Sequence, residues 1–72
     1  MTHSHVNNRV KIVRSERGMT QAQLAEKVQV ARVSIVAIET GRFQPTIETA
    51  LRISKALEIP IDDLFWLKKE KP

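Results

Sequence analysis

Apolar residues recur along most of the chain at spacings of three and four, the period with which an α-helix buries one face. A first helix starts near Asn7, brings Val10 and Val13 to one side, and ends at Gly18. A glycine just beyond a helix commonly takes the left-handed conformation that closes it. We assign no segment to a strand, and the pattern as a whole predicts an all-α fold.

The next two helices are short and close together. Thr20 followed by Gln23 is a capping box, in which the threonine hydroxyl accepts a backbone N–H and the glutamine side chain reaches back to the first residue. This second helix covers about residues 20–28, and a third covers about 31–40 and stops at Gly41. Two or three connecting residues force the helices to cross steeply, which is the arrangement of a helix-turn-helix unit.

Two further helices are predicted in the second half of the chain. Pro45 holds the residue before it in an extended conformation, and Thr46 then caps a fourth helix. The apolar stripe of that helix is expected to contain Ile47, Leu51, Ser54 and Leu57. Pro60 marks the next boundary, and Asp62 and Asp63 stand at the start of a fifth helix, where acids favour the helix dipole. That helix is expected to carry the run Leu64, Phe65, Trp66 and Leu67.

Length and composition are those of one small helical domain. Seventy-two residues without cysteine leave a single hydrophobic core to stabilise the fold, with no disulfide and no thiolate metal site. We expect a flexible N-terminal stretch over residues 1–6, the helix-turn-helix domain over 7–67 and a charged tail over 68–72. No apolar run is long enough for a membrane span and no signal-peptide pattern is present, so we expect a cytoplasmic, nucleoid-associated protein.

The charge balance favours an anionic partner. Twelve Lys and Arg residues against eight Asp and Glu give a formal charge of +4, and nucleic acid is the commonest anion for so small a basic domain. The sequence offers little indication of a catalytic site. Asp62 and Asp63 are adjacent, so on a helix their side chains diverge and do not form a pair of carboxylates. His3 and His5 have no further metal ligand nearby in sequence. We expect no enzyme, no metal site, no cofactor, no small-molecule ligand and no membrane partner.

An ordered set of short segments resembles the Cro/phage-repressor (XRE) family of helix-turn-helix regulators, especially its short single-domain members. The segments are "RSERGMTQAQLA", "SIVAIETG", "PT", "KAL" and "DDLF", and the resemblance extends from Asn7 to about Phe65. It implies a five-helix, lambda-repressor-like domain that binds double-stranded DNA. It further implies a transcriptional regulator, a repressor, that occupies a palindromic operator as a homodimer.

The resemblance also assigns roles to individual side chains. Contacts with DNA phosphates are implied for Gln21, Ser34, Arg42, Phe43 and Thr46. Those at Phe43 and Thr46 involve backbone N–H groups at the start of the fourth helix, which attract anions. A buried ion pair is implied between Arg14 and Glu39. Helix geometry agrees, since Glu39 lies one turn beyond the core residue Ile35 and an unpaired carboxylate there would be costly.

The outward face of the third helix departs from the family pattern, which often has polar side chains there. The implied base-reading positions hold Arg32, Val33, Val36 and Ala37. Two interpretations are open. In the first, the apolar side chains contact thymine C5-methyl groups while Arg32 binds a guanine. In the second, the patch binds another protein, as in an antitoxin-like or adaptor module. We favour DNA, because Gln21, Arg32 and Arg42 retain the contacts that groove binding requires.

Three other positions depart from the family pattern. Gln29 and Glu58 stand where glycine is usual, and each loses about 1 kcal/mol relative to glycine if its φ is positive. Ser54 stands where alanine is favoured, and its hydroxyl is expected to bond the carbonyl one turn earlier.

The last helix supplies the predicted dimer contact. Leu64 and Phe65 are expected to complete the core, which leaves at least one of Trp66 and Leu67 exposed beside them. Palindromic operators mirror the two-fold symmetry of the proteins that bind them. We therefore predict a homodimer through the fifth helix, centred on Trp66 and Leu67.

Overall fold

The computed structural model describes residues 6–42 and 44–67, which form five helices and a two-stranded sheet. The order is β1 (Val6–Asn8), α1 (Val10–Glu16), α2 (Gln21–Val28), α3 (Arg32–Glu39), α4 (Ile47–Leu57), α5 (Ile61–Leu64) and β2 (Phe65–Leu67). The predicted five-helix fold is confirmed. Of the expected flexible N-terminal stretch only Val6 is described, and the charged tail lies outside the described residues. None of the described helices is both long and apolar enough to cross a membrane.

One hydrophobic core receives buried side chains from all five helices. Its members are Val10, Val13, Leu24, Ala25, Val28, Ile35, Ile38, Ile53, Leu57 and Leu64. Full burial of an aliphatic side chain of this size contributes about 1.5–3 kcal/mol. Because α2 and α3 each place their apolar stripe in this shared core, the relative position of these two helices is fixed by packing.

Local capping chemistry sets the helix boundaries where the sequence predicts them. The Thr20 hydroxyl accepts the Gln23 N–H at 3.0 Å, and the Gln23 side chain accepts the Thr20 N–H at 2.9 Å. Thr46 caps α4 in the same way by accepting the N–H of Thr49 at 3.1 Å. Gly18 and Gly41 have φ values of +71° and +77°, as the glycine positions after α1 and α3 predict.

The sheet corrects the prediction of a strand-free fold. β1 pairs antiparallel with β2, with Val6 opposite Leu67 and Asn8 opposite Phe65. The expected start of the first helix at Asn7 and the extension of the last helix to Leu67 are therefore wrong. A long-range contact favours the strands, since the Arg9 N–H donates to the Leu64 carbonyl at 3.1 Å. A local contact delays the start of α1, since the Asn8 carboxamide oxygen accepts the N–H of Val10, the first residue of that helix.

The buried face of α4 is rotated relative to the expected stripe. Ala50, Ile53 and Leu57 are buried, whereas Ile47 is 79% exposed and Leu51 is also exposed. At about 100° per residue the buried three fall within about 60°, whereas Ile47 and Leu51 lie about 60° and about 100° beyond Ala50. Two large apolar side chains of α4 are consequently left on the surface.

Two helices end at non-glycine residues in the left-handed conformation. Gln29 has φ 67° after α2 and Glu58 has φ 58° after α4, so the strain anticipated at the family's glycine positions is present. Ser54 corrects a smaller expectation, because its hydroxyl donates to the Ile59 carbonyl beyond the helix end and not to an earlier turn. This bond helps close α4 over the left-handed Glu58.

Candidate nucleic-acid interface

The three residues between α2 and α3 position a helix with one exposed face. Ile35 and Ile38 of α3 are buried, whereas Val33, on the opposite side, is 70% exposed. Arg32 is also exposed, and Val36 and Ala37 are half-buried. The four predicted base-reading residues thus border one accessible surface, which we call the α3 face: Arg32, Val33, Val36 and Ala37.

A buried ion pair connects α1 to the end of α3. Arg14 Nε donates to Glu39 Oε2 at 2.7 Å and its Nη2 donates to Oε1 at 3.3 Å, while Nη1 donates to the Met19 carbonyl at 2.7 Å. The two side chains are only 10% and 2% exposed. Charges so far from water need partners of this kind, because an isolated buried charge carries a large desolvation penalty. The pair therefore ties the first helix to the third.

Gln21 extends this ion pair to the surface. Its Nε2 donates to Glu39 Oε1 at 3.1 Å, and its Oε1 accepts from Arg32 Nη2 at 3.0 Å. Arg14, Glu39, Gln21 and Arg32 form one continuous hydrogen-bonded series, here called the polar chain. Its buried end holds the orientation of the Gln21 amide, and the amide in turn restrains the otherwise mobile guanidinium of Arg32. A restrained side chain loses less entropy when it binds a partner.

Asn8 also helps to position α3, a role that the sequence analysis did not predict. Its Nδ2 donates to the Ile38 carbonyl at 3.0 Å and its Oδ1 accepts the Val10 N–H at 3.0 Å. One side chain therefore forms hydrogen bonds with a backbone N–H at the start of α1 and with a backbone carbonyl at the end of α3. Asparagine shortly before a helix is a known capping preference and could have drawn attention to it. The contact with α3 depends on tertiary structure.

The predicted phosphate-contacting residues lie at or near the ends of α2, α3 and α4, apart from Phe43. Gln21 starts α2, and Ser34 lies half-buried in the first turn of α3. Arg42 is exposed, and its backbone N–H donates to the Ala37 carbonyl at 2.9 Å, so it directly follows the end of α3. Thr46 caps α4. Phe43 lies outside the described residues.

Arg52 contacts the turn that precedes α3. It donates to Gln29 Oε1 at 2.9 Å and to Glu48 Oε2 at 2.6 Å. The side chains of Arg52 and Glu48 are 43% and 71% exposed, and exposed ion pairs of this kind contribute little. The bond to Gln29 is the more informative contact, because it restrains a residue in the left-handed conformation.

Trp66 and Leu67 lie in β2 and not on a fifth helix, which corrects the predicted location of the dimer contact. They are 42% and 54% exposed. Consecutive strand residues point to opposite faces, so the two side chains cannot share one flat surface. Leu67 is paired with Val6 and shares its face.

An apolar groove lies between the sheet and the start of α4. Its volume is about 190 Å³, and it is lined by Val6, Gln44, Pro45, Thr46, Ile47, Ala50, Ile61 and Phe65. Leu67 lies on the groove side of the sheet through its pairing with Val6, and Leu51 lies one turn beyond Ile47 on α4. The groove adjoins the predicted phosphate-contacting segment, because Thr46 belongs to both.

Acidic and histidine side chains do not gather into a metal site in the part of the chain that the structure describes. His3 and His5 lie outside that part.

Comparison with known proteins agrees with this geometry. A family model described as "Helix-turn-helix" matches residues 10–64. The HTH-type transcriptional regulator YgzD of Bacillus subtilis is 40% identical over 65 residues, which cover 90% of this chain and 98% of that protein. The immunity repressor protein of Bacillus phage phi105 is 39% identical over 56 residues, 78% of this chain and 39% of that protein.

A solved structure provides a comparison with a DNA complex. The crystal structure of SinR, the master regulator for biofilm formation, in complex with DNA has a TM-score of 0.69 and 31% identity, covering 74% of this chain and 86% of that one. With five helices, a short turn between α2 and α3 and relatives of this kind, the chain belongs to the helix-turn-helix family of DNA-binding transcriptional regulators, of the Cro/phage-repressor type.

Proposed function

We propose that this protein is a sequence-specific repressor that binds a palindromic operator in double-stranded DNA as a homodimer. The observation that carries the proposal is the polar chain, because it runs from a buried ion pair to an exposed arginine at the start of α3. A helix supported in this way can enter the major groove with its first residues already oriented. Occupancy of a promoter then blocks transcription.

Arg32 and the apolar side chains of the α3 face are proposed to read the bases. Arg32 is suited to donate two hydrogen bonds to O6 and N7 of guanine, the commonest specific contact in the major groove. Val33, Val36 and Ala37 cannot form side-chain hydrogen bonds, and they are suited to the thymine C5-methyl group. The operator is therefore expected to contain guanine beside thymine in each half-site.

Residues around this face are proposed to bind the DNA backbone. Arg42 is exposed just beyond α3, and Thr46 is the N-cap of α4, a helix end that favours anions. Gln21 and Ser34 lie at the starts of α2 and α3. Such contacts fix the register on the duplex without reading sequence, and each steepens the salt dependence of binding by about one unit.

The groove beside α4 is proposed as the face that contacts a second copy of the chain. Exposed aliphatic side chains lie on both sides of it, Ile47 and Leu51 on α4 and Leu67 on β2, while Trp66 is exposed on the opposite face of the strand. Thr46 belongs to both the groove and the phosphate-contacting segment, so a partner seated here would sit beside the DNA. To bind a palindromic operator, a two-fold dimer has to hold its two α3 helices about 34 Å apart along the duplex, which is one helical turn.

Selection of bound sequences from a random DNA pool tests binding, symmetry and base preference in one experiment. We expect an enriched inverted repeat whose half-sites are about 10 base pairs apart, with guanine next to thymine in each. Enrichment of no sequence would contradict the proposal.

The exposure of Val33 favours one alternative, an antitoxin-like or adaptor protein that uses the α3 face to bind another protein. Titration of labelled protein with duplex DNA at two salt concentrations separates the two functions. A repressor retains sequence preference as salt rises, whereas loss of all binding at about 0.1 M salt would favour the adaptor.

A further inference from the structure

Apart from Arg32, the α3 face is apolar, and this limits the base edges that it can bind favourably. Val33, Val36 and Ala37 present only methyl groups, and the neighbouring acid Glu39 is turned inward and engaged by Arg14 and Gln21. Only one major-groove base substituent is itself apolar, and that is a methyl group on C5 of a pyrimidine. Opposite any other base edge these side chains would cover hydrogen-bonding atoms without replacing their water partners, which is unfavourable.

Thymine is not the only base with a C5-methyl group. In 5-methylcytosine the methyl group occupies the same ring position and points into the same groove. The two bases differ there at C4, where thymine has an oxygen acceptor and cytosine an amino donor. Valine and alanine side chains cannot form a hydrogen bond with either group, so they cannot distinguish the two bases.

We propose that the α3 face reads the methyl group itself, and that the protein consequently accepts 5-methylcytosine in place of thymine and distinguishes methylated from unmethylated cytosine. This inference rests on the proposed function, because it assigns a substrate class to the same surface. Arg32 immediately precedes Val33 and is held by Gln21, so the proposal assigns a guanine contact and a methyl contact to adjacent residues of α3. A methylated cytosine beside a guanine would satisfy both.

The test uses the duplex obtained by selection, with single-base changes that alter one methyl group at a time. Replacing a contacted thymine by deoxyuridine removes only the methyl group, and replacing cytosine by 5-methylcytosine at that position adds only the methyl group. Burial of one methyl group corresponds to about a fourfold change in Kd, and to about fifteenfold when both half-sites are changed. We expect deoxyuridine to weaken binding by this factor, and methylation of cytosine to strengthen it by a similar one.

Two variants locate the effect on the α3 face. Val33→Ala removes two exposed methyl groups from the protein. It should reduce toward one both affinity ratios, that of thymine to deoxyuridine and that of 5-methylcytosine to cytosine. Ile12→Ala is the matched control, since Ile12 is an exposed aliphatic residue on α1, and it should leave both ratios unchanged.

The possible results distinguish the two proposals. Equal affinity for cytosine and 5-methylcytosine at every pyrimidine position, with sequence-selective binding retained, overturns methyl reading and leaves the proposed repressor intact. Ratios that persist in Val33→Ala also overturn it, because the methyl group would then be read elsewhere. The absence of any selective DNA binding overturns the proposed function together with this inference.

Discussion

Gln21 and Glu39 are joined by a hydrogen bond of 3.1 Å between the amide Nε2 of α2 and the carboxylate Oε1 of α3. The two residues are 18 positions apart, and the bond spans the helix-turn-helix unit near its surface. Glu39 also binds Arg14, and Gln21 also binds Arg32, so each residue has a second partner in the polar chain. The stability of the fold and the orientation of Arg32, which is proposed to read bases, therefore depend on the same set of contacts.

Removal of either buried charge should destabilise the protein strongly. Arg14→Met or Glu39→Gln leaves the other charge without its ionic partner in an environment where the side chains are almost inaccessible to water. Breaking such a pair costs about 3–5 kcal/mol, a large part of the 5–15 kcal/mol typical of a small domain. Urea denaturation followed by far-UV circular dichroism measures the change in the free energy of unfolding.

The exposed pair provides the control for this experiment. Arg52→Met breaks the ion pair with Glu48, whose side chain is largely exposed, and should lower the free energy of unfolding by about 1 kcal/mol or less. The double variant of Arg14→Met and Glu39→Gln should lose less than the sum of the single changes, because it leaves no unpaired charge. Equal losses for the buried and the exposed pair would contradict the role assigned to burial.

Gln21 and Arg32 should be energetically coupled in DNA binding. Gln21→Ala removes a proposed phosphate contact and also releases the Arg32 guanidinium. We expect binding to weaken for all sequences and, in addition, part of the preference for guanine to be lost. A double-mutant cycle with Arg32→Ala, measured by fluorescence anisotropy, should show a coupling of about 0.5–3 kcal/mol. Additive effects would mean that the hydrogen bond does not influence the bound state.

Arg32 and Arg42 should have separable effects on affinity and specificity. Arg32→Ala should cost about 1–3 kcal/mol of binding free energy and relax the preference at one base position, because it removes the proposed base contact. Arg42→Ala should weaken binding to all sequences alike and reduce the slope of log K against log salt by about one unit. Binding measured on the selected duplex and on scrambled duplexes at several salt concentrations separates the two. An unchanged base preference in Arg32→Ala would show that the base-reading residue has been misassigned.

Features with local causes were predictable from the sequence. The capping box of Thr20 and Gln23 and the glycines at 18 and 41 act within one turn of the chain, and the structure has them at the predicted residues. The helix-turn-helix unit follows from the same signals, because a short turn between two capped helices leaves few ways to bury both apolar stripes.

Features that depend on distant partners were not predictable in this way. β1 and β2 are three residues each, and their pairing joins Val6 to Leu67 across nearly the whole chain. The run Phe65, Trp66 and Leu67 is compatible with a helix, and only the neighbouring strand favours the extended form. The bond between Gln21 and Glu39 likewise depends on how α2 crosses α3. Neither residue composition nor residue spacing indicates which distant residues come into contact.

The left-handed residues offer a direct test of backbone strain. Glu58→Gly should raise the free energy of unfolding by up to about 1 kcal/mol, because glycine adopts positive φ without a steric penalty. Gln29→Gly should gain less, since it also removes the acceptor for Arg52. Thermal denaturation of the two variants measures the difference. The explanation by strain fails if Glu58→Gly is destabilised, or if both variants gain equally.

Introducing a charge beside the groove should separate the two copies of the proposed dimer. Leu67→Glu places a carboxylate on the groove side of β2, opposite Val6, where it would have to be desolvated on association. Trp66→Glu, on the other side of the strand, should weaken the dimer to a smaller extent. Val33→Glu is the matched control, because Val33 is also exposed but lies on the α3 face, and it should abolish DNA binding while the dimer persists. Sedimentation velocity over a range of concentrations measures all three. A wild-type monomer at concentrations that saturate DNA, or a dimer unaffected by Leu67→Glu, would refute this interface, since a second copy bound in the groove cannot avoid that side chain.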